Sequence, residues 1–281
     1  ALGGFGATIA DRFSWEAAFQ SFGAIGIVYS LVLVFFLKEK KNVLPPPPTT
    51  SGAAIPKAAF FKGIGLLFSN ISFWIILFYF TVPSLPGWAT KNWLPTLFAT
   101  NLDIEMAQAG PLSTITIAAS SFLGVIFGGI LSDRWVQKNL RGRIYTSAIG
   151  LALTIPSLLL IGFGGTLLHV VGAAFCFGFG FGMFDANNMP ILCQFVSSKY
   201  RATAYGFMNM TGVFAGAFIT DFLGKSTDAG NLGKDFAMLA GVVLVALAIQ
   251  LYFLRPRAND FDEAQTGKGL GEETLEAVSV K

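Results

Sequence analysis

Of the 281 residues 53% are hydrophobic and only 12% are charged, whereas about 25% are charged in an ordinary soluble domain. The 29 phenylalanines and 32 glycines are typical of a helical membrane protein, because small residues let membrane helices approach closely. The formal charge of +3 does not indicate a nucleic-acid partner, since the basic residues lie in loops where membrane topology explains them.

Apolar segments predict one partial and seven complete membrane helices. Residues 1–10 are interpreted as the end of a helix that begins before this chain, and residues 15–37 form the first complete span. The later spans are predicted at 71–98, 109–131, 144–163, 166–195, 202–224 and 235–254. We therefore expect the C-terminal portion of an all-α, polytopic membrane protein.

These spans divide the chain into four parts. Residues 1–37 end one bundle, 38–69 form a linker, 70–255 form a six-helix bundle and 256–281 are a polar tail. Four consecutive prolines from Pro45 favour an extended, semi-rigid linker. A block of six helices behind such a linker is typical of transporters built from two halves.

Lysine and arginine are distributed unequally between the two predicted sides of the lipid bilayer. The side opposite the linker holds only Arg12, Lys91, Lys225 and Lys234, while most other basic residues share the side of the linker and tail. The positive-inside rule then places the C-terminus in the cytoplasm. We expect a multi-pass protein of a plasma (inner) membrane.

The span 71–98 is unusual because two prolines and Gly87 interrupt it before a lysine. Irregular backbone is tolerated in a membrane where it lines a cavity or is covered by protein. A lysine within a membrane span is a functional-site hypothesis by default. We therefore expect Lys91, with Asn92 beside it, to bind substrate. The alternative is an interfacial lysine that extends outward among nearby tryptophans.

Asp185 lies well inside the span 166–195. A charge at the bilayer centre costs at least ~2.5 kcal/mol unless it is paired or solvated. Asp185 is predicted to be a cavity carboxylate that binds the coupling ion or pairs with Lys91; the alternative is a bond that only holds helices together. Asn188 and Asn209 are further candidates for substrate binding, although such residues also commonly join membrane helices.

Three motifs carry a resemblance to the major facilitator superfamily. Gly129–Arg134 (GILSDR) resembles its G-x-x-x-D-[RK] loop, and Arg201–Gly206 (RATAYG) resembles the start of its helix eleven. Trp93–Thr96 (WLPT) is similar to the W-x-P-T of the organophosphate:phosphate antiporters and the related anion:cation symporters. The resemblance implies a twelve-helix protein. This chain would hold the end of helix five, helix six and the C-terminal six-helix half, and the N-terminal half would be a missing partner.

The resemblance also assigns roles to residues. It implies that Asp133 and Arg134 form a cytoplasmic gate, to which Arg141 and Arg143 either belong or, as we favour, owe their place to topology alone.

One position departs from the antiporter pattern, because Gly87 stands where those proteins carry an arginine six residues before the tryptophan. Lys91 is hypothesised to supply the missing cation. An ammonium group suits a carboxylate at least as well as a phosphate.

The predicted function is secondary active transport of small organic anions, such as sugar acids or other carboxylates, with proton- or sodium-coupled symport. Alternatives are a sugar-phosphate/phosphate antiporter, a neutral-sugar symporter and a non-transporting membrane sensor of solutes. No nucleophile–base set and no metal-ligand cluster stands out in the sequence, so we expect neither an enzyme nor a cofactor or metal site.

Overall fold

The computed structural model describes residues 5–36, 64–65, 67–196 and 200–255. The longer helices are α1 (Phe5–Arg12), α2 (Trp15–Phe36), α3 (Ile71–Leu102), α4 (Met106–Val136), α5 (Gly142–Phe163), α6 (Leu167–Phe195), α7 (Arg201–Asp228) and α8 (Leu232–Phe253). All regular elements within the described residues are helical, which confirms the predicted all-α fold class.

Two predicted segments fall largely outside the described residues. Of the linker 38–69 the structure describes only residues 64–65 and 67–69, and it does not describe the tail 256–281. The roles predicted for these segments, and the membrane orientation that depends partly on their basic residues, stay predictions.

Helix α3 runs without interruption from Ile71 to Leu102, although Pro83, Pro86 and Pro95 lie inside it. The expectation that prolines interrupt this span is therefore wrong. Prolines are tolerated inside a membrane helix when neighbouring helices enclose it, and Pro83 and Pro86 are both buried in the bundle.

Local chemistry sets the two ends of α3. The Asn70 side chain accepts a hydrogen bond from the Ser72 backbone N–H at 2.9 Å, which is an N-cap contact. At the other end Asp103 adopts a left-handed conformation with φ 51°, and its N–H donates to the Ala99 carbonyl. An aspartate tolerates this conformation at a helix end better than most residues do.

Helices α2 to α6 and α8 are long and apolar enough to cross a membrane. Helix α7 has 28 residues but is not among these six. Asn209 and the neighbouring threonines and glycines lower the hydropathy of its middle. It coincides in position with the predicted span 202–224, and polar residues in such a helix are typical of a surface that faces the bundle interior.

Helices α3 to α8 pack into a bundle. Helix α6 packs against both α4 and α5, α8 contacts α5 and α3, and α7 contacts α3. Glycines allow the closest approaches, because Gly150 of α5 faces Gly180 of α6 and Gly182 faces the backbone of Ser121 in α4. Small residues at such contacts let membrane helices associate through backbone packing.

Helices α1 and α2 lie beside this bundle. Thr8 of α1 donates from Oγ1 to the Ala107 carbonyl of α4 at 2.9 Å, and α2 contacts α1. In α2, Ala18 is the buried residue and large apolar side chains such as Phe35 and Phe36 are exposed. A helix that is apolar on all sides is typical of a membrane span. The assignment of these helices to another half stays a prediction.

Candidate functional site

A cavity of about 160 Å³ lies between α3, α6 and α7. Its lining combines four aromatic rings with one lysine, one aspartate, one asparagine and one serine, together with small or aliphatic residues. The lining residues are Phe80, Ser84, Gly87, Trp88 and Lys91 of α3, Phe181, Phe184 and Asp185 of α6, and Asn209, Gly212 and Val213 of α7.

The structure brings together three of the five residues predicted to bind substrate, namely Lys91, Asp185 and Asn209. Asn92 and Asn188 do not line the cavity. Asn92 donates from Nδ2 to Thr220 Oγ1 at 2.8 Å and so joins α3 to α7. Asn188 is 4% exposed and donates to Asp185 instead. The substrate-binding roles of all five residues stay predictions, but only Lys91, Asp185 and Asn209 among them line the cavity.

The Lys91 ammonium lies 5.1 Å from the centre of the Trp88 ring, within reach of a cation–π interaction. Among the described residues, ion pairs join Arg143 to Asp133 and Lys225 to Asp221, and none joins Lys91 to Asp185. Lys91 and Asp185 therefore share one cavity without neutralising each other directly. Each of the two side chains can interact with a ligand group of opposite charge or with a polar group of the ligand.

Phe181 occupies the space in front of Gly87. A Cβ atom built on Gly87 would lie 2.5 Å from Cζ of the Phe181 ring, closer than carbon atoms pack. This ring is stacked on Phe177, with centroids 5.7 Å apart and planes 12° apart, and lies 5.5 Å from Phe184. The space beside Gly87 is thus closed by an aromatic side chain.

Sequence reasoning missed the role of Phe181. Phe177, Phe181 and Phe184 follow the spacing i, i+4 and i+7, which places them on one face of a helix. This spacing could have predicted an aromatic face. The sequence alone does not show that the face meets a glycine of α3.

Aromatic rings of α3 also set the distance to α7. A Cβ atom on Gly212 would lie 2.6 Å from the Phe80 ring, and one on Gly216 would lie 2.6 Å from the Trp88 ring. Because glycine has no side chain, both rings lie directly on the α7 backbone. The same Trp88 ring contacts the Lys91 ammonium, so the position of the lysine depends on the packing of α3 against α7.

Asp185 is exposed and stands at the end of a chain of hydrogen bonds whose other members are buried. Asn188 Nδ2 donates to Asp185 Oδ1 at 3.1 Å, and the Tyr79 hydroxyl donates to Asn188 Oδ1 at 3.4 Å. The Tyr79 hydroxyl lies 2.6 Å from Ser147 Oγ of α5. Sequence reasoning missed Tyr79 and Ser147, since a tyrosine or serine within an apolar run carries no signal of its partner.

At the end of the bundle where α4 meets α5, Asp133 pairs with Arg143 at 2.8 Å. Arg134, the other residue of the predicted gate, is exposed and makes no ion pair within the described residues. Arg141 donates to the Leu251 carbonyl in the last turn of α8 at 2.6 Å. Both Arg141 and Arg143 thus make specific contacts, and the choice between a gate role and topology for them stays a prediction.

Comparison with known proteins adds a family match. A family model described as the Major Facilitator Superfamily matches residues 1–220. A hexuronate transporter of Bacillus subtilis is 25% identical and covers 88% of this chain and 60% of its own length. A probable sulfoacetate transporter of Cupriavidus necator is 23% identical over 86% of this chain and 58% of its own length. This chain therefore spans about 60% of the length of these relatives.

Two further similarities cover less sequence or show less identity. A probable nitrate/nitrite transporter of Mycobacterium tuberculosis is 28% identical over 66% of this chain and 47% of its own length. A crystal structure of a bacterial homolog to the human lysosomal transporter Spinster, inward-facing and unoccupied, has a TM-score of 0.58 at 15% identity. The alignment covers 94% of this chain and 66% of that one. This structural likeness shows a common fold.

Proposed function

Because this chain belongs to the Major Facilitator Superfamily and is part of a multi-pass membrane protein, we propose that the complete protein is a secondary active transporter of small organic anions. Sugar acids and other carboxylates are the substrates that the site suits best. The observation that carries this proposal is the cavity lined jointly by Lys91, Asp185 and Asn209. Transport would proceed by alternating access, with the six-helix bundle moving against an N-terminal half.

The charges of the cavity favour an anion that also carries hydroxyl groups. Lys91 can attract a carboxylate as a point charge. Asp185 can accept hydrogen bonds from hydroxyl groups, and Asn209 can donate or accept them. The four aromatic rings provide apolar walls around these few polar groups, which is the usual composition of a small-molecule site.

Two observations favour carboxylates over the sugar-phosphate/phosphate alternative. Phe181 fills the place where the antiporters carry an arginine, so a bidentate phosphate contact has no room there. The relatives are named for hexuronate, sulfoacetate and nitrate/nitrite; the first two anions carry a carboxylate and none of them carries a phosphate. Any second negative charge on the substrate would have to be compensated by residues outside the described cavity.

The finer parts of the proposal concern coupling and orientation. We assign Asp185 as the group that binds a coupling proton or sodium ion, because it lines the cavity and no lysine or arginine of the described residues pairs with it. We place the Asp133–Arg143 pair and Arg134 at a cytoplasmic gate. The C-terminus is then cytoplasmic, and the protein resides in a plasma (inner) membrane with its N-terminal half completing the site.

The test measures thermal unfolding of the complete protein in detergent with glucuronate, glucose 6-phosphate or glucose. A ligand at 100 times its Kd stabilises the folded state by about 2.7 kcal/mol, which is readily detected. We expect glucuronate to raise the Tm of the wild type and of Lys225→Ala, but not of Lys91→Ala. Lys225 is the matched control because it is exposed and pairs with Asp221 away from the cavity.

Other outcomes would contradict the proposal in different ways. A shift with glucose that is equal in all three proteins would indicate a neutral-sugar transporter. A larger shift with glucose 6-phosphate would favour the antiporter. Unchanged glucuronate binding in Lys91→Ala would show that Lys91 is not the cation of the site.

A further inference from the structure

We propose that Ser147, Tyr79 and Asn188 form a positioning chain that holds Asp185 by its Oδ1 atom and reserves Oδ2 for the ligand or the coupling ion. This inference rests on the proposed function, because it assigns an atom of the same cavity. It changes the role of Asn188 from a substrate contact, as predicted from sequence, to a residue that orients Asp185.

The direction of the hydrogen bond to Asp185 follows from the chemistry of the two groups. An ionised carboxylate accepts only, so the Asn188 amide must present its Nδ2 donor to Asp185 at 3.1 Å. The Asn188 Oδ1 atom then faces the Tyr79 hydroxyl, which donates to it at 3.4 Å. The Tyr79 and Ser147 hydroxyls lie 2.6 Å apart and either can donate; in the proposed chain Ser147 Oγ donates to the Tyr79 oxygen. All three donors thus point towards Asp185.

The chain leaves the two carboxylate oxygens of Asp185 unequal. Oδ1 already uses one lone pair to accept from the Asn188 amide N–H, so it has less capacity for a further donor than Oδ2. Oδ2 makes no hydrogen bond within the described residues. A ligand hydroxyl, a proton or a sodium ion therefore has Oδ2 as its acceptor atom.

The burial of the chain argues for positioning and against proton conduction. Tyr79 is 2% exposed and Ser147 is 0% exposed, and Ser147 lies on α5, which does not line the cavity. The chain thus ends inside the bundle, with no outlet to solvent. It ties α3, α5 and α6 together, and the Tyr79 ring is held against Phe184 at 5.4 Å. A chain of this kind fixes a carboxylate before a ligand arrives.

The test is a double-mutant cycle in the complete protein, with glucuronate as the probe. Tyr79→Phe keeps the ring packing and removes the hydroxyl, and it is compared in the wild type and in Asp185→Ala, which removes the oxygen that accepts from Asn188. Thr81→Val is the matched control because it removes a bond of 2.9 Å from α3 to Thr211 without touching Asp185. We expect Tyr79→Phe to raise the Kd roughly five- to tenfold in the wild type, the usual effect of one hydrogen bond, and to change the Kd little in Asp185→Ala.

A second readout needs no ligand. Without glucuronate, the Tm losses of Tyr79→Phe and Asp185→Ala should not add, since both break the same chain, whereas those of Thr81→Val and Asp185→Ala should add. Additive losses for Tyr79→Phe in both readouts would overturn the chain and leave Tyr79 a packing residue. If the wild type does not bind glucuronate but the Tm losses remain non-additive, the proposed substrate class fails while the positioning chain is supported.

Discussion

Replacing Gly87 by alanine tests how firmly Phe181 closes the space beside it. The added Cβ atom would lie 2.5 Å from Cζ and 2.8 Å from Cε2 of the ring. The ring cannot turn away easily, because it is stacked on Phe177 and packed against Phe184. Either the ring moves into the cavity or α3 moves away from α6.

Two opposing effects determine how much stability the Gly87→Ala variant loses. Adding a methylene-sized group to a packed core costs about 1–3 kcal/mol. Replacing glycine by alanine in a helix contributes about 1 kcal/mol in the other direction. Gly172 of α6 is the matched control, because a Cβ atom there would meet nothing within 4 Å. The two variants share the helix effect, so Gly87→Ala should be less stable than Gly172→Ala by about 1–3 kcal/mol.

The assay is the Tm of each variant without ligand, followed by glucuronate binding. Because 1 kcal/mol shifts the Tm of a 150–250-residue domain by about 2–4 °C, we expect a difference of several degrees. Combining Phe181→Leu with Gly87→Ala should restore part of the lost Tm, whereas combining it with Gly172→Ala should restore none. If Gly87→Ala and Gly172→Ala have the same Tm, the Phe181 ring moves aside at little cost. This result would refute the inference that the ring excludes an arginine from this position.

Three further predictions concern other contacts. Asp133→Asn should lower the free energy of unfolding by no more than about 1 kcal/mol, because the pair with Arg143 is partly exposed, but it should change the fraction of inward-open protein in a spectroscopic distance measurement. Gly150→Ala should cost about 3 kcal/mol or more in unfolding measurements, because its Cβ atom would overlap the Gly180 carbonyl, which is backbone and cannot rotate away. Lys225→Ala should leave transport rates unchanged and lower stability by about 0.5 kcal/mol or less, as expected for an exposed i,i+4 pair; a large effect would mean that it serves the site.

Some features could be predicted from sequence because they depend on local composition. Apolar runs of about 20 residues predict membrane helices wherever they occur, and those of α2 to α6 and α8 are long and apolar enough to span a membrane. A lysine and an aspartate inside such runs are unusual enough to indicate a site, and Lys91 and Asp185 do line one cavity. The prolines of α3 misled the analysis, because enclosure by neighbouring helices lets the helix continue past them.

The tertiary structure alone decided which atoms meet. One residue step turns a helix by about 100°, so neighbouring side chains point in different directions. Lys91 lines the cavity, whereas Asn92 donates to Thr220 of α7. The bond from Asn188 to Tyr79 joins residues that are 109 positions apart. Such contacts depend on how the helices pack, and helix packing is set by side-chain shape over the whole interface and not by any local pattern. The sequence therefore determined the helices and the unusual charges, and the packing determined their partners.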